Sequence, residues 1–342
     1  MSVRCLSMLA GAALAGGDFD SAAARAAQAL AFAGTRSWSQ REVCGTARLT
    51  QGWLAYHRVD ERGTADLARV APCDPDAADL GPQLEPQLLA AVLRSAGPGT
   101  AHAAVGEIRQ IWSTRWPGHV QPQLAAVALI IEQRLAYQAG ATAWGVEVAD
   151  RCRELLGHTG ELEVVRAVNH AHRGRTRSAR QLLAPVLSGQ TRSMSVLTVI
   201  EAWLWEARLS DRAGERQRAD AALAEAIALA APRGALRPLL TGGREVAELL
   251  SRSSGTFGHS EAFAARARAA LRADAAPSSS LLTTRELELL TELPSMRTAE
   301  EIATSLYVSV NTVKTHMRGI YRKLGVSNRR QAVVLARRRG LI

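Results

Sequence analysis

Aromatic residues and strand-forming runs are scarce in this chain of 342 residues. Phe, Trp and Tyr together make up 4% of it, and stretches rich in Val, Ile and Thr are nearly absent, which excludes a protein built mainly of sheets. The sequence is 47% hydrophobic, and Ala, Leu, Arg and Glu, all strong helix formers, dominate it. The composition therefore predicts an all-α protein, and the length predicts two or three folding units.

Cysteine is also rare and widely spaced. The four positions contain no C-x-x-C pair, which excludes the usual zinc-binding spacing and a dense framework of disulfides. They are Cys5, Cys44, Cys73 and Cys152. The pattern indicates reduced thiols in a cytoplasmic protein.

Long apolar runs are missing as well. No stretch reaches the roughly eighteen to twenty residues that a membrane-spanning helix requires. The apolar run after Arg4 resembles a signal peptide, but Gly17-Asp18-Phe19-Asp20 follows it directly. That segment favours a turn between two helices over a cleavage site, so we expect neither export nor membrane insertion.

The residue patterns of catalysis and cofactor binding are absent too. The sequence has no H-E-x-x-H, no G-x-S-x-G and no convergent pair of carboxylates. Gly97-Pro98-Gly99 follows no strand and indicates a turn, and His170 and His172 are spaced too closely to share one helical face. We therefore expect no enzyme activity, no metal site and no cofactor.

What the sequence does have is positive charge concentrated at one end. The formal net charge is +10, and residues 277–342 hold eleven Lys or Arg against five Asp or Glu. From Ile302 to Ile342 there are nine basic residues and no acidic one. Such a one-sided distribution indicates an anionic partner, and double-stranded DNA is the natural one.

One stretch inside this basic segment predicts an amphipathic helix over residues 310–324. Val313, Met317, Ile320 and Leu324 recur with helical spacing and form an apolar stripe. The opposite face carries groups that can contact bases or phosphates. These are Asn311, Lys314, Thr315, Arg318 and Arg322. Ser309 is the expected N-cap and Gly325 the expected stop.

The flanking sequence predicts three more helices. Each begins with a capping pair, in which a small polar residue precedes Glu or Gln by three positions. The pairs are Thr283 with Glu286, Thr298 with Glu301, and Asn328 with Gln331. Because so few residues separate the second helix from Ser309, these two helices form a helix-turn-helix, with residues 310–324 as its recognition helix.

These motifs resemble the four-helix DNA-binding domain of LuxR-type transcription regulators. The matching segments are Thr283-Thr284-Arg285-Glu286, Glu301-Ile302-Ala303, Thr312-Val313-Lys314-Thr315-His316 and Lys323-Leu324-Gly325-Val326. One departure is Leu293-Pro294-Ser295-Met296-Arg297, where the family usually has a glycine.

The resemblance implies a recognition helix in the major groove. Lys314, Thr315 and Arg318 would then contact base edges, and the residues near the groove walls would contact phosphates. The phosphate-contacting set is Ser309, through the backbone N–H groups that follow it, Asn311, Thr312, Arg322 and Lys323. It also implies a homodimer on DNA, paired through the fourth helix, on which we expect Val333 and Ala336 to be exposed.

The longer preceding segment, residues 1–272, predicts helical hairpins joined by short turns. The pairs are 6–15 with 21–31, 43–57 with 65–70, 124–139 with 144–156, 162–172 with 177–187, and 196–209 with 216–230. Their irregular periods predict a degenerate tetratricopeptide-like solenoid of about six or seven hairpins. Residues 273–281, rich in Ala, Ser and Pro, are the expected linker to the DNA-binding domain at 282–342.

This order of parts resembles the C-terminal portion of the large MalT-like, ATP-binding LuxR-type regulators. The chain has no G-x-x-x-x-G-K-[ST] loop, so we do not extend their ATP-dependent switching to it. The sequence thus predicts a cytoplasmic transcription regulator whose repeats bind an effector or protein partner. The alternative is a protein-interaction scaffold with an auxiliary basic DNA-binding tail.

Overall fold

The computed structural model describes residues 2–35, 44–60, 84–95, 100–114, 122–275, 282, 284–295, 297–305, 309–324 and 326–338. Within these ranges the chain forms eighteen α-helices, two short 3₁₀ turns and no strand, which confirms the all-α prediction. The chain divides into two compact units, and the division falls between Leu271 and Arg272.

The first unit contains fourteen of the described helices, the last of which continues past the boundary at Leu271. They are α1 (Val3–Ala15), α2 (Phe19–Gly34), α3 (Gly45–Arg58), α4 (Leu84–Arg94), α5 (Ala101–Thr114), α6 (Pro122–Gln138), α7 (Thr142–Leu156), α8 (Gly160–His172), α9 (Thr176–Leu187), α10 (Val196–Arg212), α11 (Arg216–Ala230), α12 (Arg237–Thr241), α13 (Gly243–Arg252) and α14 (Glu261–Ala275). Helix α14 extends to Ala275, so it includes the first three residues of the segment expected to be the linker.

The same turn joins the two helices of four hairpins. In each turn a glycine adopts a left-handed φ between 71° and 79°, which a residue with a Cβ rarely adopts. The residue after it donates its N–H to a carbonyl five positions back at 2.9 Å, as in a Schellman motif. The glycines are Gly17, Gly140, Gly174 and Gly214. The turns explain why α1 packs on α2, α6 on α7, α8 on α9 and α10 on α11, as the sequence predicts.

The partner predicted for α3, at residues 65–70, lies outside the described residues. The solenoid is not confirmed, because distant hairpins of the first unit are in direct contact. Arg233 Nε lies 3.0 Å from the carbonyl oxygen of Gly17, and Arg237 Nε lies 3.1 Å from that of Tyr56. A linear array in which each repeat contacts only its neighbours has no such pairs.

Small and large side chains share the core of the first unit. Alanines occupy many fully buried positions and let the helices approach closely, while leucines and a few aromatic rings fill the remaining space. Trp205 and Trp203 pack against different apolar clusters. Two positions apart on a helix, these indoles point to different sides and so cannot enter the same interface.

The second unit contains α15 (Thr284–Glu292), α16 (Ala299–Ser305), α17 (Val310–Leu324) and α18 (Arg329–Arg338). They surround one apolar core, built from Leu290, Ile302, Val313, Ile320 and Ala332 among others. Within the described parts of both units, no helix is both long enough and apolar enough to cross a membrane.

Candidate nucleic-acid interface

Helix α17 is the central element of the second unit, because it packs against α15, α16 and α18. Val313, Ile320 and Leu324 are buried and Met317 is partly buried, so the apolar stripe predicted from the sequence is the face that enters the core. Within the described part of the unit, one side of the helix therefore remains uncovered and open to a ligand. A helix held on three sides in this way presents its exposed residues in fixed positions.

The capping pairs that define these helices are largely as predicted. Ser309 Oγ accepts the N–H of Thr312 at 3.0 Å at the start of α17. Thr298 and Glu301 bond reciprocally at the start of α16, with Thr298 N to Glu301 Oε2 at 2.7 Å and Glu301 N to Thr298 Oγ1 at 3.2 Å. Asn328 caps α18 through the N–H of Gln331.

Two predicted capping residues, Thr283 and Gly325, lie outside the described residues. At the end of α17 the N–H of Val326 donates to the carbonyl of Tyr321 at 2.9 Å. This bond spans five positions, as in a Schellman motif, and it closes the helix where the sequence predicts its end.

The exposed face of α17 carries the groups expected to contact DNA. Asn311, Lys314, Thr315, Arg318 and Arg322 are all exposed, while Thr312 is half-buried beside the cap. Thr315 Oγ1 donates to the carbonyl of Asn311 at 2.9 Å. Its hydroxyl proton is thus occupied within the helix, and the side chain offers a methyl group and an acceptor.

Lys323 differs from the rest of the predicted set. Its Nζ lies 2.5 Å from Oε2 of Glu286 on α15, and the Glu286 side chain is only 7% exposed. A Cβ built on Gly319 would lie 2.7 Å from Glu286 Oε1, so the absence of a side chain there makes room for the carboxylate. Lys323 is therefore engaged inside the unit, and Glu286 joins α15 to α17.

The loop between α15 and α16, where the sequence departs from the family pattern, is held by Arg329 of α18. Its Nε lies 2.8 Å from the carbonyl oxygen of Leu293, its Nη1 2.8 Å from that of Arg297, and its Nη2 2.5 Å from that of Ser295. One guanidinium thus satisfies carbonyls that the end of α15 leaves free. Sequence periodicity gave no sign of these bonds, although a basic residue in the first turn of α18 opposes the helix dipole and signals a specific partner.

The face of α18 expected to pair two copies needs a correction. Ala336 is fully buried in the core and Val333 is partly buried against it, whereas Val334 is 47% exposed. The sequence pattern pointed to the wrong side of this helix, because α15 and α17 cover more of it than a small core was expected to need. Val334 is the apolar side chain that α18 presents to solvent.

Glu300, at the start of α16, is an acidic group near Lys314 of the basic face. Hydrogen bonds from its own backbone N–H and from Thr298 hold the pKa of Glu300 below its usual range, and the nearby Lys314 contributes less.

Across the described residues of the whole chain, no three His, Cys, Asp or Glu side chains gather in a way that could hold a metal ion.

Comparison with known proteins gives a family match within this second unit and several relatives that share a short stretch with the chain. Residues 280–336 match the family described as bacterial regulatory proteins, luxR family. The probable transcriptional regulatory protein NarL of Mycobacterium tuberculosis is 43% identical over 72 residues, which cover 21% of this chain and 33% of the relative. The CsgBAC operon transcriptional regulatory protein of Escherichia coli is 51% identical over 55 residues, 16% and 26% of the two chains.

The transcriptional regulatory protein LiaR of Bacillus subtilis is 46% identical over 61 residues, 18% of this chain and 29% of the relative. The chain thus spans a third or less of the length of these curated relatives. No solved structure matches it significantly. The resemblance of residues 1–272 to MalT-like regulators stays a prediction.

Proposed function

We propose that this chain, whose C-terminal residues form a luxR-family helix-turn-helix domain, is a sequence-specific DNA-binding regulator of transcription that acts in the cytoplasm. The observation that carries the proposal is the exposed face of α17, on which Lys314, Arg318 and Arg322 stand together. No acidic residue occurs from Ile302 to Ile342. A rigid cationic helix with free polar groups fits the major groove of DNA.

The exposed residues divide into two roles in this proposal. Lys314, Thr315 and Arg318 lie on the first turns of α17 and contact base edges, so they determine sequence preference. Asn311, Thr312 and Arg322, with the N–H groups after Ser309, contact phosphates and hold the helix in register. Lys323 has a smaller direct role than the sequence suggested, because its ammonium group already pairs with Glu286.

The first unit has a separate role in the proposal. Residues 1–272 form a helical sensor that binds an effector or protein partner, residues 273–281 connect it to the DNA-binding domain at 282–342, and two copies bind paired half-sites. The alternative is a helical scaffold in which DNA binding is auxiliary. It predicts no saturable binding to any duplex at physiological salt, whereas a regulator binds a subset of genomic fragments tightly.

The test begins by selecting bound fragments from genomic DNA with the full-length protein. The selected duplex and a scrambled version are then titrated with alanine variants at several salt concentrations. Lys314→Ala and Arg318→Ala should each lose about 1 to 3 kcal/mol on the selected duplex and much less on the scrambled one. Arg322→Ala should weaken both duplexes alike and reduce the salt slope by about one unit.

Equal losses on both duplexes for Lys314→Ala and Arg318→Ala would show that neither side chain reads sequence. Failure to select any fragment would favour the scaffold. Lys323→Ala is a useful comparison, because it removes the same charge as Lys314→Ala from the same helix. A loss of domain stability should be its main effect, since it leaves the carboxylate of Glu286 buried without its cation.

A further inference from the structure

The first unit contains a cavity of about 420 Å³, open to solvent on one side, between α1, α3, α6 and the start of α10. This volume lies within the roughly 300 to 1,000 Å³ typical of small-molecule sites. Its walls are mainly apolar. The apolar side chains lining it include Met8, Phe19, Trp53, Leu124, Val127 and Leu197.

The charge of the lining limits what the cavity can hold. The described residues that line it include no Lys, Arg or Asp, and among them only His57 and Glu85 can ionise. Burial, followed by the nearby Arg134 and Arg237, lowers the pKa of His57 to about 3, so its ring is neutral at pH 7. Burial also raises the pKa of Glu85, which the indole of Trp53 partly opposes. The described lining residues offer no cation to an anionic ligand, and burying an unpaired charge is costly.

His57 also supplies a polar group without a partner. The residue is 5% exposed, and its ring lies 6.0 Å from those of Trp53 and Phe19, centroid to centroid. Within the described part of the chain, its Nδ1 has no hydrogen-bond partner. A buried nitrogen in this state costs stability unless something else bonds to it, and His57 lines the cavity.

A second cavity in the same unit makes the contrast clear. It measures about 180 Å³ and is lined by Arg134 and Glu201. These two side chains bond to each other at 3.2 Å, and Arg134 also bonds to Tyr56 Oη at 2.7 Å. Its charged groups are thus already used within the protein, and the volume is too small for most organic ligands.

We propose that the larger cavity binds an uncharged, mainly apolar organic molecule that carries one hydrogen-bonding group for His57. The apolar body fills the space between α1, α6 and α10, and the polar group bonds to the imidazole of His57 where that ring lines the cavity. Such a ligand would be the effector proposed above for the helical unit. Its effect on regulation therefore rests on the proposed function, whereas its binding to the cavity is independent of it.

Two fluorescent probes test the chemical class directly on the full-length protein. N-phenyl-1-naphthylamine is neutral and carries one N–H donor, and 1-anilinonaphthalene-8-sulfonate has the same rings with an added sulfonate. The neutral probe should bind saturably at a single site, and the anionic probe should bind at least about tenfold more weakly. Equal affinity for the two probes would overturn the proposed class.

Substitutions at the cavity mouth test the location. Ala12 and Thr46 are exposed residues that line the cavity from α1 and α3, so Ala12→Trp and Thr46→Trp should each fill space without disturbing the core. Each should weaken the neutral probe about tenfold. The matched control is Ala27→Trp, an exposed alanine of α2, which should leave binding unchanged. Unchanged binding in both filling variants, with helical circular dichroism retained, would refute the site.

His57→Phe keeps a ring in place but removes the nitrogen, and it should weaken the neutral probe several-fold while preserving the fold. An undiminished affinity in this variant would exclude His57 as the polar contact. A parallel DNA titration separates this proposal from the proposed function. If the protein selects DNA but shows no saturable probe binding, the proposed cavity ligand is refuted and the proposed function stands. If the protein binds the probe but selects no DNA, the proposed function is refuted and the cavity ligand stands.

Discussion

Removing the guanidinium of Arg329 should loosen the second unit at the loop that precedes the helix-turn-helix. Arg329→Met keeps the aliphatic stem but deletes three hydrogen bonds of 2.8 Å or less to the carbonyls of Leu293, Ser295 and Arg297. A hydrogen bond to a charged group contributes about 1.5 to 3 kcal/mol when taken singly. The fourth contact, to Glu292 at 3.5 Å, adds little.

The three contributions are not additive, because they share one side chain and water can reach the freed carbonyls at this surface. We therefore expect a total loss of about 2 to 3 kcal/mol, which raises the population of the locally open state roughly 30- to 150-fold. Hydrogen exchange of the full-length protein, followed by mass spectrometry of fragments covering α15 and α16, measures this quantity. Fragments from α10 serve as the internal reference and should not change.

Arg330→Met is the matched control, because it removes the same charge from the adjacent, exposed position. It should leave protection within about threefold of the original, as expected for a surface substitution. If the two variants lost protection equally, the effect would come from net charge and the bonds of Arg329 would not hold the loop.

Two further predictions concern surfaces and pH. Val334→Asp should leave the domain folded, because this valine is 47% exposed, and should weaken binding to a duplex with two half-sites but not to one with a single half-site. A gel-shift titration of both duplexes checks this, and unchanged binding to both would argue against pairing through α18. His57 has a folded-state pKa of about 3 against 6.5 in the unfolded chain, so the unfolded state binds the extra proton and stability falls as the pH decreases from 6.5 toward 3. Urea unfolding followed by tryptophan fluorescence should show a free energy of unfolding about 1 kcal/mol lower at pH 5.5 than at pH 7 because of this residue. His57→Phe should remove that difference. If the variant keeps the full pH dependence, His57 is not its source.

Local patterns in the sequence predicted what local interactions determine. Ser309 caps α17 and Thr298 pairs with Glu301 because these contacts span three residues. The buried stripe of α17 follows from helical spacing alone, and its exposed face follows with it. Four helical pairs of the first unit were also predictable, since each of these four is joined by a short turn containing glycine.

Contacts between distant segments were not predictable in this way. Arg329 bonds to carbonyls 32 to 36 positions earlier, and Lys323 pairs with Glu286 across 37 positions. A helical pattern predicts that a charged residue is exposed to solvent, and for this reason Lys323 was predicted to contact DNA. His57 gave no signal either, because its burial depends on Phe19 from another hairpin.

The bonds that join the hairpins around α1 to those around α12 also constrain the order in which the protein can fold. Gly17 bonds to Arg233 across 216 positions and Tyr56 bonds to Arg237 across 181. At about 5 to 20 residues per second, a ribosome needs roughly ten to forty seconds to synthesise the intervening chain. During that interval Phe19 and Leu54, which the finished unit buries against Leu236 and its neighbours, lack their later partners. Repeat arrays can propagate from either end, whereas this unit can complete its core only after Arg237 has been synthesised.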